Sequence, residues 1–136
     1  MIIKTLDDYV AAVEAEEYPE DPLVPEEKSV INDNGSLRNL VYGTFAGATI
    51  IDSVQGSIRS NHYHKTDWHY LTIIEGIIQY YWRPANSAED PQMLTIRAGQ
   101  TFFTPPMVEH AVRSLNNSRM ISFSRLARRP STHDAD

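Results

Sequence analysis

Five histidines and no cysteine set the chemistry open to this 136-residue chain. Without thiols there is no disulfide framework, thiolate metal site or cysteine nucleophile, so any reactive centre must use nitrogen and oxygen. His62, His64, His69 and His110 lie in a strand-rich body, and the first three fall within eight residues of one another. Alternate side chains of a strand share a face, so His62 and His64 project together about 6–7 Å apart, with Tyr63 pointing away. His69 comes at an odd interval after His64, so a turn or bulge at Lys65-Thr66-Asp67 is required before its ring can rejoin them. In the strand that follows, His69, Leu71 and Ile73 share a face. His110 follows the rigid pair Pro105-Pro106 and sits between Val108 and Val112 on one apolar face. One such histidine is most often a core side chain satisfied by a hydrogen bond. Four together point elsewhere, because burying several neutral imidazoles without partners is costly and a shared divalent ion satisfies them all. His133, in a polar tail, reads as solvated.

The elements that must position these rings are legible from pattern. Leu6, Tyr9, Val10 and Val13 fall on one face of a helix over residues 5–14, with Thr5 as its cap and Asp8 at the capping-box position. The helix should pack outside the core. Residues 14–27 are acidic and carry Pro19, Pro22 and Pro25, the composition of an extended surface connector. From Lys28 the chain breaks into short Val, Ile, Thr, Tyr and Phe stretches separated by turn residues, which predicts an all-β sandwich or barrel. Ten strands are expected: 28–31, 37–42, 48–54, the stretch into His64, 68–74, 77–83, 93–97, 101–104, 110–115 and 120–126. The division is then a helix and linker over 1–27, a barrel over 28–127 and a polar tail over 128–136.

Two motifs carry a resemblance. Gly56-x5-His62-x-His64-x4-His69-x6-Gly76 is similar to the first motif of the cupin family in every spacing, with His69 where that family usually has glutamate. Gly99-x5-Pro105-Pro106-Met107-Val108-Glu109-His110 resembles the second, with Met107 in place of a glycine and Ser114 at the usual asparagine position. The resemblance implies a cupin-like jelly-roll β-barrel with a short N-terminal helix. It also implies a divalent transition metal (Fe, Ni, Zn, Mn or Cu) in the mouth, held by His62, His64, His69 and His110. Four neutral ligands would leave such an ion its full charge and make it a strong Lewis acid. Cupins of this size are commonly homodimers, and faces bearing Tyr70, Thr72 and Ile74 are the candidate interface. Leu71, Ile73, Tyr80, Trp82, Phe102, Phe103 and Val108 are candidates for the pocket wall. Asp67 and Glu109 are candidate carboxylates for orienting the imidazoles.

The first expectation is a metal-dependent enzyme of dioxygenase or isomerase type acting on a small molecule. A second comes from Arg59-Ser60-Asn61-His62-Tyr63-His64-Lys65, which resembles the Arg-x-x-His-x-His-Lys signature of cupin-fold nucleotide-sugar ketoisomerases and, in part, epimerases of deoxysugar synthesis. It implies a metal-free proton shuttle in which His62 or His64 is the base and Arg59 holds an anionic substrate. A third is a module that binds a small ligand without turning it over. The formal charge of -6 gives no electrostatic reason to approach nucleic acid. No apolar run nears the roughly 20 residues of a membrane span, so the expectation is a soluble, cytoplasmic protein.

Overall fold

The computed structural model describes residues 2–127, and these form one helix and ten strands. The expected tail over 128–136, with His133, lies outside the described residues. Helix α1 (Leu6–Glu14) starts as the sequence predicts. The Thr5 hydroxyl accepts from the Asp8 amide at 3.1 Å and the Asp8 carboxylate accepts from the Thr5 amide at 3.1 Å, which satisfies two otherwise orphaned donors.

Strands β1 (Val30–Asn32) and β2 (Gly35–Leu37) form a small exposed hairpin. The remaining strands are β3 (Gly47–Ser53), β4 (Ile58–His62), β5 (His69–Glu75), β6 (Ile77–Pro84), β7 (Gln92–Arg97), β8 (Thr101–Thr104), β9 (Val108–Ser114) and β10 (Ser118–Ser124). They build two four-stranded antiparallel sheets in the orders β3-β10-β5-β8 and β4-β9-β6-β7. This is the all-β, cupin-like jelly roll with one short helix. Ile73, Ile78, Tyr80, Ile96, Phe102, Val112 and Met120 fill the space between the sheets. They come from alternate strand positions, which is how a pleated strand feeds one face.

A second core lies on the outer face of the first sheet. There Leu6, Tyr9, Val10 and Val13 of α1 pack with Val24, Trp68, Tyr70 and Phe103. Two expectations change as a result. Tyr70 is 1% exposed and Thr72 is 1% exposed, its hydroxyl hydrogen-bonded to that of Thr101 at 2.7 Å, so the face proposed for a dimer contact is already covered apart from Ile74. The strand expected over 37–42 stops at Leu37, and the chain then crosses the sheet, with Val41 and Phe45 joining the outer core.

The proline-bearing connector is more than a surface strap. The Phe103 amide donates to the Pro22 carbonyl at 2.8 Å and the Val24 amide donates to the Thr101 carbonyl at 2.9 Å, so the connector pairs with β8 and covers an otherwise open sheet edge. No helix among the described residues is long and apolar enough to cross a membrane.

Candidate active site

The histidines meet because β4 is irregular. Its register against β9 shifts between Ser60 and His62, and Ser60 and Asn61 take left-handed φ values of 70° and 63°. Such a bulge bends a strand and re-aims its side chains. His62 thereby pairs directly with His110 of β9. His64 lies beyond the end of β4, and its carbonyl accepts from the Met107 amide at 2.8 Å. A bend at Lys65 and Thr66 supplies the predicted turn, and His69 opens β5.

His64 is the hub. Its ring centroid lies 4.7 Å from that of His62, 4.8 Å from His69 and 5.5 Å from His110, and His62 lies 5.1 Å from His110. The four rings, with Arg59, Leu71, Phe102 and Thr104, line a cavity of about 40 Å³. Nε2 of His62 and Nε2 of His64 are 3.1 Å apart. Such a contact needs one donor and one acceptor, so one of these two nitrogens is bare.

His110 can be assigned further. Its Nδ1 lies 3.0 Å from the Val108 carbonyl, which can only accept, so Nδ1 carries the hydrogen. Burial, the largest influence, lowers its pKa to about 4 against the opposing pull of that carbonyl. The ring is therefore neutral near pH 7 and Nε2 is unprotonated.

His69 is engaged at both nitrogens. Nδ1 is 3.1 Å from the Ser122 hydroxyl and Nε2 is 3.4 Å from Asp67 Oδ2. Asp67 is 3% exposed, and its other oxygen accepts from the Trp68 and Leu126 amides, each at 2.9 Å. Of the two candidate carboxylates, Asp67 is the one that lies beside a histidine of the cluster. Glu109 instead pairs with Arg83 at 2.9 Å, away from the rings.

Among the pocket candidates, Leu71 and Phe102 line the histidine cavity, and Ile73 packs in the inter-sheet core. Tyr80, Trp82, Phe103 and Val108 line a separate groove of about 490 Å³ beside it. A hydrogen bond of 2.9 Å between the Tyr80 and Thr104 hydroxyls stands between the two spaces. Arg59 lines the cavity, with Nε donating to Ser53 Oγ at 2.6 Å and Nη2 to the Asp52 carbonyl at 2.7 Å. Sequence reasoning missed Ile51, Ser60, Thr104, Val112 and Met120 in the cavity wall. Strand alternation puts Ile51 and Met120 inward, but which inward residue reaches a cavity depends on sheet register.

The potential ligand atoms fall into two overlapping triplets, His62-His64-His110 and His64-Asp67-His69. They do not make the single four-histidine set expected, because His69 is turned to Asp67 and Ser122.

No protein-family model and no curated protein matches this sequence. Solved structures do match its fold. The capsular polysaccharide assembling protein CapF from Staphylococcus aureus superposes with a TM-score of 0.61 at 16% identity, over 83% of this chain and 34% of that one. This chain thus spans about a third of the length of CapF. A dTDP-4-dehydrorhamnose 3,5-epimerase from Sulfolobus tokodaii gives 0.62 at 15% identity over 79% and 72% of the two chains. The sugar 3,4-ketoisomerase QdtA from Thermoanaerobacterium thermosaccharolyticum, in complex with TDP, gives 0.66 at 12% identity over 82% and 83%. At these identities the likeness establishes the cupin fold. It also overturns the expectation of a divalent transition metal as cofactor. The neighbours include sugar epimerases and ketoisomerases, the chemistry for which the sequence motif implies a metal-free proton shuttle, and the imidazoles do not assemble as the one ligand set that the metal reading required.

Proposed function

We propose that the barrel is a proton-transfer isomerase or epimerase acting on a nucleotide-linked keto sugar, with the His62–His64 pair as its acid–base machinery. The observation that carries this reading is the 3.1 Å contact between the two Nε2 atoms at the cavity. A hydrogen on carbon next to a ketone is acidic enough for an imidazole base to remove when the developing enolate is stabilised. The bare nitrogen of the pair takes the proton from that carbon, and the imidazolium so formed gives a proton back, directly or through its hydrogen-bonded partner, where the new stereocentre or carbonyl forms. The neutral His110, with Nε2 unprotonated, adds no positive charge of its own beside the pair. Arg59 places a fixed positive charge at the cavity wall, where it favours the enolate over the neutral ketone.

Size limits how a substrate enters. A space of about 40 Å³ accepts the reacting carbon and its oxygen, so the nucleotide must lie outside it. The adjoining groove, with its stacked Tyr80 and Trp82 rings, offers the larger volume and flat apolar faces.

The test is solvent exchange. Chelator-treated protein, incubated in heavy water with TDP-4-keto-6-deoxyglucose, should place deuterium on carbon next to the keto group, seen by proton NMR. His62→Asn and His64→Asn should each slow this by about 100-fold or more. A folded, chelator-treated protein that exchanges no sugar proton across a panel of nucleotide-linked keto sugars overturns the reading.

A further inference from the structure

Beside the C-terminal end of α1 the outer layer leaves a slot of about 310 Å³. It lies on the opposite face of the first sheet from the histidines. Trp68 and Tyr70 line it from the sheet, Val10, Val13 and Glu14 from the helix, and residues 42–44 from the crossing segment. Gly43 takes a φ of +138°, a conformation that side chains rarely adopt, so this wall is bare backbone.

Two independent features give the slot a chemistry. Tyr70 is 1% exposed, and its hydroxyl is buried without a hydrogen-bond partner among the described residues. A buried hydroxyl left unpaired is costly unless it meets a ligand or water. The second feature is negative potential. Glu14 ends α1, Glu16 follows it, and the last turn of the helix has no basic residue to offset the negative end of its dipole. Glu14 and Tyr70 line the same slot, and burial and then the Glu14 charge push the Tyr70 pKa up. Among the lining residues the basic group is Arg125, which offsets Glu16 and leaves Glu14 as the carboxylate without a basic partner among the described residues. Nη1 of Arg125 donates to the Thr66 carbonyl at 3.1 Å, and its Nη2 lies 3.9 Å from Glu16.

We propose that this slot binds a small organic ammonium, its cationic head between Glu14 and the Tyr70 hydroxyl and its apolar body against Trp68 and Tyr42. Aromatic faces attract cations through the ring quadrupole, and the phenol oxygen accepts a hydrogen bond from the ammonium. An anion of the same shape meets Glu14 and the carbonyl end of the helix. The slot is separate from the histidine cavity, so the inference stands apart from the isomerase reading.

Three isosteric probes test it: benzylammonium, benzyl alcohol and benzoate, each titrated into the full chain while the Trp68 indole signal is followed by NMR, with Trp82→Phe used to assign it. Benzylammonium should shift that signal and bind at least about tenfold more tightly than benzyl alcohol, while benzoate leaves it unmoved. Glu14→Gln, an exposed position, should erase the preference for the ammonium over the alcohol. Tyr70→Phe should weaken ammonium binding and leave the melting temperature unchanged or raised, since it deletes an unpaired buried group. Equal binding of the three probes, preference for benzoate, no binding by any, or an ammonium preference that survives Glu14→Gln would each overturn the proposal.

Discussion

His110 is neutral in the folded protein because burial outweighs the Val108 carbonyl, which favours the charged form. Its pKa of about 4 lies below the value of 6.5 for a free histidine, so between these pH values the unfolded chain binds the extra proton. The resulting stability is fully present above pH 6.5 and drains away as the pH falls toward 4. The whole difference amounts to about 3 kcal/mol. Denaturant titrations between pH 7 and pH 4 should show wild type losing stability more steeply than His110→Asn, and parallel slopes would rule this out. At this scale the sequence exposed the histidine cluster by spacing alone. It did not reveal how the rings divide, because the Asp67–His69–Ser122 arrangement joins residues 53 positions apart and depends on where β10 lands against β5. The bulge that turns His62 toward His110 was equally hidden, since Ser60-Asn61 is no stronger a bulge signal than many Ser-Asn pairs.

The elements sort by how local their causes are. Helix α1 was readable to within one residue because its cap, capping box and apolar stripe all lie inside ten positions. Thr5→Ala removes the cap acceptor and should cost about 1 kcal/mol, lowering the melting temperature by a few degrees. Thr5→Ser should restore most of it, and an Ala variant as stable as wild type would mean the cap contributes nothing. Strands with turn residues at both ends, such as β8 over Thr101–Thr104, were also placed from sequence. The segment after Leu37 was not, because Val41 and Phe45 are apolar for a different reason: they cover the outside of a sheet instead of extending one. The connector shows the reverse error. Its prolines and acids suggested a solvated strap, yet it makes backbone bonds at Pro22 and Val24, where prolines cannot interrupt the donors that are used.

At the scale of the molecule, β8 and most of β5 are covered on both faces, and the first 27 residues supply five of the buried side chains of the outer core. Leu6, Tyr9, Val10, Val13 and Val24 are each under 5% exposed and cover Trp68, Tyr70 and Phe103. At about 1.5–3 kcal/mol for each buried apolar side chain, these five contribute on the order of the net stability of a whole domain, about 5–15 kcal/mol. The sequence divides the chain at residue 27 by composition, but the two parts share one buried core on the outer side of the sheet. Strands β5 and β8 carry the two cores on opposite faces: Leu71, Ile73 and Phe102 on the inner, Tyr70 and Phe103 on the outer. His69 stands at the start of the same β5, paired with Thr104. Loss of the outer cover therefore loosens the strand that holds the histidine cavity. A chain lacking residues 1–27 should lose its cooperative thermal transition and bind a hydrophobic dye, and its histidine signals should collapse toward those of an unfolded chain. A truncated chain that melts sharply near the full-length temperature, with its histidine signals dispersed, would show that the jelly roll stands without its outer layer.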